Sequence, residues 1–366
     1  VFNYSIIADI TDINGETRST TSIIRIGYTS LELSTDLPKV LVSSNDRPSK
    51  IISRNLSGNA VPATISLKLY KIKEPDRLLK SRLWNHADKR VYTQEEYIKK
   101  FAADVYNDED DFLNWEKEKN VWSTEINTGI DSIIQLDPEN LGQGFYLMEG
   151  EALDSFGKEV KLIHFFTVIH SLSKSPARNQ FYFTHVIKDD ADPGLINKIL
   201  ISTAATNAYF LLETIVRNEV TKSEWIRVNK EQRVIEIPVK EEYRGNFSFR
   251  INMLKEGRVF QDHILFKVPW KTKDLSVEYQ SFRSTLEPGK KEEWKLKIKD
   301  HSGKIMNAEL LASMYDASLD VFLDHKWKTS FYQTYGAYAQ IYNHGFGLSF
   351  SNSYSNIKNR TNHIFP

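Results

Sequence analysis

Tyr4-Ser5-Ile6-Ile7-Ala8-Asp9-Ile10-Thr11-Asp12-Ile13-Asn14-Gly15 recurs in outline as Tyr146-Leu147-Met148-Glu149-Gly150-Glu151-Ala152-Leu153-Asp154-Ser155-Phe156-Gly157. In both copies a tyrosine opens the element and Asp-x-x-Gly closes it beside a β-rich flank. Asp-x-x-Gly suits a hairpin turn. The aspartate accepts hydrogen bonds from its own following backbone, and glycine takes the left-handed position at no steric cost. A second pair has identical spacing: Asn55-Leu56-Ser57-Gly58 runs to Ala63 and Tyr70, and Asp300-His301-Ser302-Gly303 runs to Ala308 and Tyr315. A third pair, Asp192-Pro193-Gly194 and Glu287-Pro288-Gly289, lies 95 residues apart, each copy ahead of an apolar run. Proline presets φ and glycine accepts φ > 0, so Pro-Gly also marks a turn. A repeat of that length, with short strands at roughly 8–12-residue spacing, predicts an all-β chain of tandem immunoglobulin- or fibronectin-like β-sandwiches.

The repeats divide the chain. Residues 1–34 read as the back half of a sandwich, because two strands alone make a marginal hairpin. Residues 35–170 form a full unit, 181–268 a second, and 274–366 begin a third, with polar or Pro-bearing linkers at 171–179 and 269–273. The first unit is long because of an insert, residues 75–122, that departs from period 2. There Thr93-Gln94-Glu95-Glu96 is a capping box, and Tyr97, Phe101 and Val105 follow at helical spacing. A second short helix is expected around Phe112, Leu113 and Trp115. The first residue, Val1, falls in a strand already under way, and the expectation is a piece cut from a longer protein.

Composition narrows the function. The chain has 366 residues, 48 Lys+Arg against 48 Asp+Glu, and no cysteine. The balanced and evenly spread charge offers no basic face for nucleic acid. Zero cysteines exclude disulfides, thiolate metal sites and a thioester within these residues. Mean hydropathy is −0.44, and no apolar run approaches the roughly 18 residues of a membrane-spanning helix. Asn107-Asp108-Glu109-Asp110-Asp111 lacks the alternating ligands and central glycine of a calcium loop and reads as a solvated helix start. His164 and His170 sit six apart on one β-run, which is not zinc spacing. Gly345-Phe346-Gly347 lacks the context of a nucleotide loop, and no Gly-x-Ser-x-Gly elbow occurs. Asp12 and Asp154 are explained by turn chemistry. The expectation is a protein that is not an enzyme, holds no metal or cofactor, and uses its aromatics mainly as sandwich core.

The repeat elements, taken in order, resemble bacterial alpha-2-macroglobulin-like proteins, particularly the long forms of Bacteroidetes. Tyr4 to Gly15 and Tyr146 to Gly157 look like the family's late strand-turn element. Asp192-Pro193-Gly194 and Glu287-Pro288-Gly289 look like its early turn. Val234-Ile235-Glu236-Ile237-Pro238 through Tyr243-Arg244-Gly245-Asn246 is similar to late strands of the domain before the bait-bearing one. Ala308-Glu309-Leu310-Leu311-Ala312-Ser313-Met314-Tyr315-Asp316 looks like the strand preceding the bait, with Met314-Tyr315 replacing the usual small β-branched pair.

The resemblance implies tandem macroglobulin domains of a broad-range endopeptidase inhibitor. In such a trap a protease cuts an exposed bait and is then enclosed. It also implies target proteases as partners of the full-length protein, and a periplasmic, cell-envelope or extracellular location, with any membrane anchor outside residues 1–366. No thioester can lie in this cysteine-free stretch. The bait would fall at 326–362, where Lys328, Phe331, Tyr332, Tyr335, Tyr338, Lys358 and Arg360 offer trypsin- and chymotrypsin-type sites among small polar residues. The same alternating aromatics also read as ordinary strands of the last sandwich. Two other readings stand: a structural or adhesive sandwich array of a bacterial surface protein with no inhibitory activity, and a carbohydrate-binding module. The latter needs a flat exposed aromatic platform, and none stands out before residue 327.

Overall fold

Four turns of this chain share one hydrogen-bonding plan. At Asp12, Asn55, Asp154 and Asp300 a side-chain oxygen accepts from the backbone N–H two and four residues on, at 2.9–3.0 Å. The glycine that ends each turn donates to the carbonyl three residues back, with φ of +85°, +87°, +76° and +83° at Gly15, Gly58, Gly157 and Gly303. The two motif pairs, read separately in the sequence, are therefore one turn used four times. These details come from a computed structural model, which describes residues 1–43, 47–83, 89–270, 274–281, 287, 289–291, 293–311, 320–321 and 332–336.

The fold is an all-β array with little helix. The first sandwich packs a three-stranded sheet, β3 (Leu31–Thr35), β5 (Ser49–Asn55) and β8 (Ile133–Ile134), on a five-stranded one. The latter runs β4 (Val40–Val42), β10 (Glu159–Ile169), β9 (Gly144–Leu153), β6 (Thr64–Ile72) and β7 (Lys117–Asn127), with only the short β4–β10 contact parallel. Leu31–Thr35 pairs with β5 and so belongs to this sandwich, not to the hairpin ahead of it. Period 2 decides what is buried: Ile65, Leu67 and Leu69 of β6 point inward against Leu31 and Ile51 of the facing sheet.

The second sandwich sets β11 (Phe183–Lys188), β12 (Ile196–Thr203) and β15 (Glu231–Pro238) against four strands. Those four run β14 (Glu219–Val228), β13 (Ala208–Val216), β16 (Phe247–Lys255) and β17 (Arg258–Phe266). Its core centres on Phe210, Phe247, Phe249, Ile251 and Ile199. Each such side chain stabilises by roughly 1.5–3 kcal/mol when fully withdrawn from water.

Two hairpins flank the sandwiches. β1 (Phe2–Thr11) pairs with β2 (Thr17–Ile26), and β18 (Leu275–Ser281) with β19 (Lys295–Asp300). The first is exposed along its whole length although Phe2, Tyr4 and Ile6 share a face with Ile24 and Ile26. A two-stranded ribbon has no second layer to cover that face. Gly194 and Gly289, the ends of the two Pro-Gly turns, have φ of +91° and +78°.

The insert holds α1 (Gln94–Lys100), and the capping box forms as the sequence predicts: Glu96 N–H donates to Thr93 Oγ1 and Thr93 N–H to Glu96 Oε2. The helix stops sooner than the Tyr97-Phe101-Val105 spacing predicts. Phe101 is its C-cap, because the chain turns there so that Ala103 can accept a 2.7 Å hydrogen bond from Lys80 N–H. Phe112–Asn114 is one turn of 3-10 helix capped by Asp111, and residues 117–122 belong to β7.

Candidate functional site

The bait residues divide by position. Lys328, Phe331, Tyr338, Lys358 and Arg360 lie outside the described residues. Tyr332, exposed, and Tyr335, half-buried, lie on a non-strand run across the end of the second sandwich. Tyr335 N–H donates to Gly245 O at 2.7 Å, Asn246 Nδ2 to Tyr335 O at 3.2 Å, and Trp270 Nε1 to Gln333 O at 3.1 Å. Tyr332 stacks on Trp270 at 5.2 Å. Gly245 makes this corner possible: its φ is +87°, and a Cβ there would lie 2.5 Å from Gln333 O. The sequence marks Tyr243-Arg244-Gly245-Asn246 as a strand end. It gives no sign that this corner receives a segment from so far along the chain.

The two sandwiches meet across a small apolar cluster of Ile169, Ala177 and Leu200, beside which lies a set of polar ties. Arg178, in the linker, is buried, with Nε 2.9 Å from Glu74 Oε1, Nη1 donating to Thr167 Oγ1 at 3.3 Å, and its guanidinium 3.5 Å over the Phe145 ring. Its Nε and Nη2 lack an aligned hydrogen-bond acceptor among the described residues, so charge and the ring face hold it. Burial pushes this guanidinium down, and Glu74 opposes the shift. Gln143 and Gln232 bind the linker from either side. Gln143 Nε2 donates to the Ser175 and Pro176 carbonyls, and Gln232 Nε2 to those of His170 and Ser173. His170 Nε2 donates to Leu141 O at 2.8 Å, a structural role.

Residues 75–81, the start of the insert, bend at Asp76–Arg77 and pass between the rest of the insert and the second sandwich, leaving a cleft on either side with Arg77 lining both. Pro75, Leu79 and Ser81 face a cleft of about 340 Å³ whose other walls include Phe112, Trp115, Tyr182 and Phe260. Asp76, Leu78 and Lys80 face a wider one of about 840 Å³, rimmed by Lys100, Lys230 and Lys255. Lys80 pairs with Asp104 at 2.8 Å. Tyr182 Oη donates to Asp262 Oδ2 at 2.9 Å, and burial, then the Asp262 charge, pushes the phenol well above its ordinary range. Burial pushes His164 and His185 down, which favours the neutral imidazoles.

Trp225 and Tyr209 lie on the solvent face of the four-stranded sheet, 66% and 50% exposed, on diagonal register positions rather than directly opposite each other. Strand alternation puts them there, but sequence alternation does not say which face of a sheet is left uncovered. Two of the acids at 107–111 serve the local chain. Glu109 accepts from Tyr106 and Asn107 N–H and pairs with Arg77, and Asp111 caps the 3-10 turn. Among the described residues no group of three or more His, Asp or Glu could hold a metal, and no helix is long and apolar enough to cross a membrane.

No family model matches the chain, and no curated protein matches it. Solved structures similar to it include a tetra-tandem repeat in the extending region of a large adhesion protein, at 13% identity over 76% of this chain and 60% of that one, TM-score 0.22. The native conformation of Escherichia coli alpha-2-macroglobulin follows at 11% identity over 82% of this chain and 23% of that one, TM-score 0.25. The trypsin-activated form of the same Escherichia coli protein gives 10% over 81% and 24%, TM-score 0.23. The chain thus spans less than two thirds of each of these structures.

Proposed function

We propose that this chain is a non-catalytic scaffold segment of an alpha-2-macroglobulin-like protease trap, acting in the periplasm, cell envelope or extracellular space, with target proteases as partners of the full-length protein. The observation that carries the reading is the run Tyr332–Gly336. It lies within the segment that the resemblance assigns to the bait, and it sits outside any strand on the end of the second sandwich, exposed except at the half-buried Tyr335. Proteases take substrates as extended chain, and an exposed run fastened by few hydrogen bonds opens at little cost. That favours bait over strand at Tyr332 and Tyr335.

A specific observation also favours the structural or adhesive array. The buried Arg178–Glu74 pair and the Gln143 and Gln232 clamps tie the two sandwiches together, as an array that transmits tension requires. Brief digestion by trypsin and, separately, chymotrypsin, with mass mapping of the first cuts, separates the two. The trap reading expects both to cut first within 326–362. First cuts by both in residues 75–122 or 171–179, with 326–362 intact, refute the bait assignment and leave the array.

A further inference from the structure

We propose that the 340 Å³ cleft between the insert and the second sandwich binds a short neutral oligosaccharide. This goes beyond the scaffold reading and does not depend on it. The walls are aromatic on both sides. Tyr182 stacks on Phe260 at 5.6 Å and 19°, and Phe260 on Phe181 at 6.1 Å and 30°. Across the cleft Phe112 and Trp115 meet edge-on at 4.8 Å. Tyr182 also stacks on Phe210 at 5.8 Å and 18°, so these rings make rigid apolar walls against which the C–H groups of a pyranose can pack, and the volume suits a ligand of one or two rings.

The polar groups decide the ligand class. Trp115 Nε1, Tyr182 Oη, Asn179 Nδ2 and the Arg77 guanidinium are committed to Glu109 O, Asp262, Pro75 O and the Ala102, Asp104 and Glu109 oxygens. They fix the walls. The Gln180 amide, the Asp110 carboxylate and the Ser81 hydroxyl line the same cleft and have no side-chain partner among the described residues. An amide, a carboxylate and a hydroxyl together accept from and donate to sugar hydroxyls.

An acidic sugar is disfavoured, because the Arg77 guanidinium that lines the cleft is already engaged and the Asp110 carboxylate adds negative charge. A peptide adding as a strand is disfavoured too. Gln180 O already accepts from Ala204 N–H, and Ser81 O from Arg258 Nη2, so these two carbonyls are not open to an added strand. A lipid chain would give none of these three polar groups a hydrogen-bond partner.

The test is calorimetric titration of the full chain with maltotriose, cellotriose, xylotriose and chitotriose. We expect at least one to bind with Kd of about 1 mM or tighter. Asp110→Ala and Gln180→Ala should each weaken that binding about tenfold or more, as the loss of a ligand hydrogen bond requires. Their melting temperature should be unchanged, since neither side chain holds the fold together. Trp225→Ala, on the exposed sheet face, should leave binding intact. No binding of any of the four at about 10 mM overturns the proposal. So does binding that Trp225→Ala abolishes while Asp110→Ala and Gln180→Ala retain it.

Discussion

Glu74→Gln is the sharpest perturbation of this fold, since it removes one charge and almost no volume at the sandwich junction. Side-chain exposure is 5% for Arg178 and 11% for Glu74, so the guanidinium left behind stays out of water. What remains for it is the Phe145 ring face and one hydrogen bond to Thr167. The amide can still accept from Asn179 N–H, as Glu74 Oε2 does at 3.2 Å.

Breaking a buried pair by removing one partner costs about 3–5 kcal/mol. Two unit charges 4 Å apart at an effective dielectric of 20 interact by about 4 kcal/mol, which agrees. The surviving ring contact argues for the lower end, about 3 kcal/mol. At about 2–4 °C per kcal/mol for a module of 150–250 residues, the transition that contains the junction should fall by about 6–12 °C in calorimetry. Glu74→Leu combined with Arg178→Met should regain most of the loss, because neither charge is then stranded. A Glu74→Gln shift equivalent to less than about 1 kcal/mol would refute the reasoning. So would a double variant as unstable as the single.

Gly157→Val should destabilise by about 1–3 kcal/mol in denaturant titration, purely through backbone strain at φ +76°, since nothing lies within 4 Å of the added Cβ. Asn at the same position should cost under about 1 kcal/mol, as it tolerates the left-handed region. Asp154 should make the hold on residues 28–30 pH-dependent. Its Oδ2 accepts from Ser30 N–H at 2.9 Å, and that bond, the largest cause, keeps its carboxyl below the ordinary 3.8. The folded-state pKa is thus below the unfolded one. The stabilisation is complete above the unfolded value and disappears as pH falls through the lowered one. Amide exchange at Ser30 should accelerate over that acid range and become insensitive to it in Asp154→Asn. Gly245→Ala should push Gln333 away and speed chymotryptic cleavage at Tyr335, measured by mass mapping; an unchanged rate means that the corner does not hold the run.

The sequence by itself determined the local elements. Asp-x-x-Gly, Asn-x-x-Gly and the Thr93–Glu96 box each make their defining hydrogen bonds within about four residues, so a short window contains the argument for them. Alternation in β6 likewise announced its buried face, because the pleat repeats every two residues. Tertiary structure decided the rest. The Asp154 turn looks like the Asp12 turn in sequence, yet only Asp154 also grips Ser30, a partner 124 residues away. Arg178 reads as one more linker cation until Glu74 and Phe145 close over it. Helix α1 ends at Lys100 because Lys80 claims the Ala103 carbonyl, and Gly245 matters because Gln333 arrives against it. Residues 75–81 show neither of their clefts until the insert and the second sandwich stand on either side. A junction is made by packing between segments that share no local pattern, and it exists only once both have folded.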